Sequence, residues 1–192
     1  MVAEGTQELG RKGVATVKRW LEATTYIELP FDVYNNTLDC TIPHFGGVKR
    51  FDLQGYYLTG NKGPIFVESK RYATPGGQYK EFLRFLAIAY SSTVQERKLY
   101  GSHRERHFLW VTFHPFNLEN WSAFESHEHI LLALTKNPDM LDKNEEVDDN
   151  LVREVASRIM VLVFNPKQEG LSLTRDELKA VRLQIDRKAN SL

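Results

Sequence analysis

VKRFDLQGYYLTGNKGPIFVESKRY, residues 48–72, decides the reading of the fold, because it sets two strand-like runs back to back with charge inside them. Residues 51–59 are rich in aromatic and apolar side chains, Gly60-Asn61-Lys62-Gly63 supplies turn chemistry, and residues 64–72 return to strand composition. Two antiparallel strands are expected. Side chains alternate along a strand, so Phe66, Glu68 and Lys70 share one face while Ile65, Val67 and Ser69 share the other. An acid and a lysine therefore stand side by side in a mostly apolar run. Burying a charge is unfavourable unless it is paired or holds a metal, and Asp52, on the preceding strand, is the natural third member. The competing reading is an ordinary Glu/Lys pair on a half-solvated hairpin, which spacing alone does not separate from a site.

Working outward, residues 4–23 carry Val14, Val17 and Leu21 at helical spacing, with Trp20 beside them, and predict a first helix packed on the sheet. Residues 26–34, YIELPFDVY, read as a strand that Pro30 confines to an edge or bends. Residues 35–47, NNTLDCTIPHFGG, read as a loop, with His44 as a loop residue rather than a substrate contact. Beyond the hairpin, Thr74 and Pro75 make a helix cap and first turn. The helix continues to about Tyr100 with Tyr79, Phe82, Leu83, Leu86, Ala89 and Tyr90 as its apolar stripe. Residues 107–116, HFLWVTFHPF, predict a central strand ended by Pro115.

Residues 121–135 predict another helix, with Phe124, Ile130, Leu131 and Leu134 toward the core. Its His127-Glu128-His129 is not a metal motif, since alternate helical residues point about 200° apart. The acid-rich residues 137–150 lack the rhythm of a calcium loop and read as solvated chain whose final acids can open a helix. Residues 158–164 give a strand, and Thr174 with Glu177 a capping box on a last helix. The resulting order, helix, strand, hairpin, helix, strand, helix, strand, helix, predicts an α/β fold with a central mixed sheet flanked by helices on both faces.

The 192 residues, 42% of them hydrophobic, suit one domain over residues 1–192. The one cysteine, Cys40, excludes an intramolecular disulfide or a cysteine-based zinc site and fits a reducing cytoplasm. No stretch approaches the roughly 18 apolar residues of a membrane span. Net charge is zero, but Lys and Arg exceed Asp and Glu 11 to 5 over residues 45–110, while acids exceed bases 9 to 2 over residues 111–150. The basic excess falls around the hairpin, where Arg71, Lys80 and Arg84 are candidates for gripping a phosphate backbone.

Asp52, fifteen intervening residues and then Glu68-Ser69-Lys70 resembles the motif of the PD-(D/E)xK nucleases, whose restriction-endonuclease-like fold has an αβββαβ core. The resemblance covers about residues 5–115, leaving residues 116–192 as a C-terminal α/β elaboration. It implies that Asp52, Glu68 and the Ser69 backbone carbonyl hold Mg2+, or Mn2+ in its place, and that Lys70 orients or activates the attacking water. Phe51 stands where the motif's name has proline, a departure the family tolerates. A glutamine on the helix after the motif strand, here Gln78, supports the site in several branches. A first-helix acid is common too: Glu8 is the candidate, although the register set by Gly10 and Gly13 places Val14 there, and Glu8 also suits a surface pair with Lys12. The function implied is metal-dependent hydrolysis of DNA, endonucleolytic rather than exonucleolytic, by a chain that can act as a homodimer or with a protein partner supplying target recognition. RNA remains an open substrate at this point. The alternative is a catalytically inactive member of the fold serving as a nucleic-acid-binding or assembly module.

Overall fold

The computed structural model describes residues 2–60, 62–72, 77–102, 104–143 and 146–185, with side chains from Glu8 onward. In chain order these form α1 (Val2–Thr24), β1 (Ile27–Asp32), β2 (Thr41–His44), β3 (Gly47–Arg50), β4 (Leu53–Tyr57), β5 (Ile65–Lys70), α2 (Gln78–Tyr100), β6 (His107–Thr112), α3 (His127–Lys136), α4 (Asp149–Ala156), β7 (Ile159–Val163) and α5 (Arg175–Gln184). Short 3-10 turns lie at Leu118–Ala123, Pro138–Met140 and Pro166–Leu171. The expected cap at Thr74 and Pro75, and Asn61 of the expected turn, fall outside the described residues. The helix that Thr74 was to start begins at Gln78, after Gly77 in the left-handed conformation at φ 70°.

One mixed sheet has the strand order β1-β4-β5-β6-β7. The pairs β1/β4 and β4/β5 are antiparallel, while β5/β6 and β6/β7 are parallel and linked through α2 and through α3 and α4. The expected α/β arrangement, helices on both faces of a mixed sheet, is what the chain adopts. Alternation decides which face buries what. Ile65 and Val67 of β5 join Leu109 and Val111 of β6 against Val14, Val17 and Leu21 of α1. Phe66, Phe108 and Trp110 point the other way, toward Phe82, Phe85 and Leu86 of α2, with Ile130 of α3 and Val155 of α4 completing that core. The ring of Phe82 lies between 4.8 and 6.0 Å from those of Phe85, Trp110, Phe116 and Phe124.

Both outer strands carry a distinguishing feature. In β1 the register shifts between Glu28 and Phe31, around Pro30, as the proline at an edge predicts. Across from it Gly55 has no room for a side chain, since a Cβ there would lie 1.9 Å from the Glu28 carbonyl oxygen. On the far side the Val161 amide of β7 donates to Glu125 Oε1 at 2.6 Å.

Three expectations need correction. Residues 35–47 are not all loop: β2 and β3 form a separate two-stranded antiparallel sheet, and His44 is a buried strand residue whose Nδ1 accepts the Gly46 N–H at 3.0 Å. The single helix expected over 121–135 is a 3-10 turn followed by α3, divided where Ser126 Oγ accepts the His129 N–H. The element order omitted a helix, α4, which the final acids of the acid-rich run do open, capped by Asp148 accepting from Asn150 and Leu151. The capping box of Thr174 and Glu177 is present. Among the described residues no helix is long and apolar enough to cross a membrane.

Candidate active site

Sheet register gathers the site. Asp32 of β1 pairs with Leu53 of β4, Leu53 with Val67 of β5, and Lys70 with Thr112 of β6. The end of β1, the start of β4 and the ends of β5 and β6 thus share one end of the sheet. The first residue of α2 joins them, because Gln78 Oε1 accepts the Thr112 hydroxyl at 2.7 Å.

Asp52 immediately precedes β4, and its Oδ2 accepts the Ser69 N–H at 2.7 Å. This bond locks the acid to the middle residue of Glu68-Ser69-Lys70. Burial first, and then the neighbouring charge of Glu68, push the Asp52 carboxyl up to about 7, against the opposing pull of the Ser69 amide, Lys49 and Lys70. Glu68 is itself buried, at 4% exposure. Its Oε1 accepts from the Lys49 ammonium at 2.8 Å and lies 2.9 Å from that of Lys70. Lys49 is also 2.8 Å from Oε2, close enough for an ion pair but not aligned for a hydrogen bond, and Oε2 has no hydrogen-bond partner.

Lys70 completes the cluster. Its ammonium contacts Glu81 Oε2 at 2.9 Å and lies 5.3 Å from the centre of the Trp110 ring. Burial alone would lower its pKa, but Glu68 and Glu81 outweigh burial and hold it above the ordinary lysine value. Glu81 is held in turn by the Tyr72 hydroxyl, which donates to Oε1 at 2.8 Å. Burial would raise the Glu81 pKa, yet its bonds to Lys70 and Tyr72 keep it below the usual glutamate value.

The remaining candidates separate. Gln78 is fully buried one strand away from Lys70, its amide engaged by Thr112 and, through Nε2 at 3.4 Å, by the His114 carbonyl. Glu8 is on the exposed surface of α1, 3.4 Å from Lys12 one turn on. Arg71 lays its guanidinium 5.2 Å from the centre of the Phe113 ring, and its stem crosses α1 at Gly13, where a Cβ would come within 2.9 Å of it. Arg84 is paired with Asp139 at 3.3 Å, and Lys80 is exposed. Lys49, Glu81 and Tyr72 were not anticipated. Glu81 was within reach of helical spacing, since it follows Gln78 by three residues and so shares its face; Lys49 could be found only by recognising β3.

The donor set fits a small hard cation. Two carboxylates converge, and one buried oxygen, Glu68 Oε2, has the Lys49 ammonium 2.8 Å away but no aligned hydrogen bond. Because the amide and carbonyl of one strand residue point to the same neighbour, the Ser69 carbonyl faces the side of Asp52. Magnesium takes such oxygen ligands and retains waters for the rest. Among the described residues no three His, Cys, Asp or Glu side chains are grouped to hold a metal, so this candidate set rests on the carboxylate pair and the carbonyl.

No protein-family model matches the chain, and no curated protein does. Among solved structures, the Moraxella osloensis Cap4 SAVED/CARF-domain containing receptor aligns with 92% of this chain and 41% of its own, at 12% identity and a TM-score of 0.39. The Acinetobacter baumannii Cap4 SAVED/CARF-domain containing receptor with the cyclic trinucleotide 3'3'3'-cAAA aligns with 90% of this chain and 39% of its own, at 12% identity and a TM-score of 0.35. This chain thus spans about two fifths of the length of these receptors. Likeness at such scores carries no argument about fold or activity.

Proposed function

We propose that the chain is a metal-dependent nuclease of the PD-(D/E)xK type, hydrolysing DNA phosphodiester bonds. The observation that carries this reading is Glu68 Oε2, a buried carboxylate oxygen with an ammonium nearby but no aligned hydrogen bond, beside Asp52, whose proton affinity is raised first by burial and then by the charge of Glu68. Crowded acids of this kind are what a divalent cation relieves. The order α1-β1-β4-β5-α2-β6, with the β2/β3 hairpin set aside, repeats αβββαβ and supports the same reading.

Asp52, Glu68 and the Ser69 carbonyl would hold Mg2+, or Mn2+ in its place. Bound there, the cation would supply charge stabilisation at the phosphoryl oxygens and a more acidic water. Lys70, with a pKa above the ordinary value, stays a donor at neutral pH; it therefore orients the water by hydrogen bonding and does not take its proton. Glu81 fixes that ammonium from α2, and Gln78 fixes Thr112, the register partner of Lys70. Arg71 and Lys80 lie at the same end of the chain's site elements and supply backbone phosphate contacts. A homodimer, or a partner protein that selects the target, accompanies this reading.

The test is to incubate the purified chain with single-stranded, duplex and branched DNA in Mg2+ or Mn2+, alongside Lys70→Ala and Asp52→Ala. The parent cuts, and each substitution lowers the rate about a hundredfold or more; cutting that survives both would sink the assignment. Lys49 favours a second reading. With two ammonium groups already on Glu68, the site can be a closed ion network in a protein that binds DNA and leaves it whole. Binding without cleavage by the parent selects that reading.

A further inference from the structure

On the α1 side of the same sheet end lies a cleft of about 320 Å³, lined by Arg11, Val14, Lys18, Asp32, Tyr34 and Leu53. Its walls divide by chemistry. Val14 and Leu53 are buried and give an apolar floor. At the rim the Arg11 guanidinium lies 4.9 Å from the centre of the Tyr34 ring, and both side chains are exposed. Lys18 adds a second cation. The Asp32 carboxylate is engaged by its own turn, accepting from the Tyr34 and Asn35 amides and from the Asn35 side chain.

The cleft adjoins the candidate acid. Leu53 follows Asp52 directly, and the Val33 N–H donates to the Asp52 carbonyl at 3.0 Å. Burial, and next the charge of Asp52, hold the Tyr34 phenol above its ordinary pKa, so the ring stays neutral. The volume is near the lower end of the roughly 300–1,000 Å³ range of small-ligand sites. It offers room for a nucleotide and none for a duplex.

We propose that this cleft seats one unpaired nucleotide of the substrate strand, with its base continuing the stack of Arg11 on Tyr34 over Val14 and Leu53, and its phosphate beside Lys18. The inference rests on the nuclease reading of Asp52 and Glu68 and makes it more specific. A base stacked in a duplex cannot enter the cleft, so the substrate has a single-stranded segment, a flap or a frayed end beside the bond to be cut. Bases stack on aromatic rings and on guanidinium planes without regard to sequence, which matches a strand selected by its structure.

The test is run in EDTA, so that binding is read without cleavage. Fluorescence anisotropy measures a short labelled oligothymidylate and a blunt duplex against the parent, Tyr34→Ala and Lys18→Ala, with thermal melts establishing that each variant is folded. Tyr34→Ala weakens the oligothymidylate by about tenfold, in line with the loss of one base–aromatic stack, and leaves the duplex unchanged. A 4-thiothymidine in the oligonucleotide, irradiated on the parent, crosslinks to Tyr34 or its neighbours in the cleft, which keeps the proposal testable should the variants misfold. Unchanged oligothymidylate affinity in folded Tyr34→Ala, or crosslinks confined to other surfaces, overturns the subsite. Failure of the parent to cut any DNA while Tyr34-dependent binding persists supports the subsite and removes only the nuclease reading.

Discussion

Glu68 has two ammonium groups within 2.9 Å, Lys49 and Lys70, where one would neutralise it. Each repels an incoming cation, and at close range even a well-screened unit charge is worth a few kcal/mol, about 4 kcal/mol at 4 Å and an effective dielectric of about 20. Lys49→Met leaves Lys70 in place and binds Mn2+ more tightly, on the order of tenfold by calorimetry; equal or weaker binding counts against a metal at this pair. Asp52 gives a pH signature. Its folded carboxyl keeps its proton up to about 7, whereas the ordinary value is 3.8. Between those values the folded state binds more protons than the unfolded chain, so stability falls as pH rises through the window. An amide can accept the Ser69 N–H without ever ionising. Asp52→Asn therefore melts higher than the parent at pH 8, by on the order of a few kcal/mol, and the gain vanishes at pH 4; a difference independent of pH would contradict the cause assigned. In the sequence Asp52, Glu68 and Lys70 stood out because charge interrupted an apolar alternation. Lys49 and Glu81 did not, since a basic pair, Lys49-Arg50, just ahead of the expected strand and an acid on a helix surface carry no such conflict.

Among the elements, the sheet is most demanding at Gly55. A Cβ at this position meets the Glu28 backbone at 1.9 Å, and backbone cannot swing aside as a flexible side chain can. Gly55→Ala must open the β1/β4 pairing, and urea titration is expected to show a loss of about 3 kcal/mol or more; a change below 1 kcal/mol would mean β1 repositions freely. The long, periodic elements were legible: α1, β4, β5, α2 and β6 all follow from pattern and turn chemistry. What escaped was short. The strands β2 and β3 have four residues each, and Pro43 with Gly46-Gly47 makes that span look like loop by composition. The break before α3 has no glycine or proline to announce it, only Ser126 turning its hydroxyl onto a backbone amide. For α4 the opening acids were read but not the separate helix, which at eight residues is too short for its periodicity to stand out.

At the scale of the whole chain, folding undoes the charge asymmetry seen along the sequence. Acids of residues 111–150 are laid against α2: Asp139 on Arg84 at 3.3 Å, Asp148 on Arg97 at 3.1 Å, and Asp142 on Lys98. The basic excess that suggested a phosphate footprint is thus partly spent inside the molecule. Duplex binding should then depend weakly on salt, with a slope of log K against log salt near −2, as two or three phosphate contacts produce. Lys80→Ala reduces that slope by about one. A measured slope of −5 or steeper, by anisotropy across a salt series, would show that the paired arginines and lysine let go of their acids to meet DNA.

The hydrogen bond from Val161 to Glu125 belongs to this scale as well. In β7 the Phe164 amide points inward, to the Thr112 carbonyl of β6, so alternation turns the Val161 amide outward, to the free margin of the sheet. The Glu125 carboxylate sits on that donor, while at the opposite margin Pro30 and the shifted register spoil β1 as a template. Both margins of the sheet are thereby poorer templates for an added strand. Two copies of this chain that associate are therefore expected to meet through helices, loops or the β2/β3 hairpin rather than by running one sheet into the next.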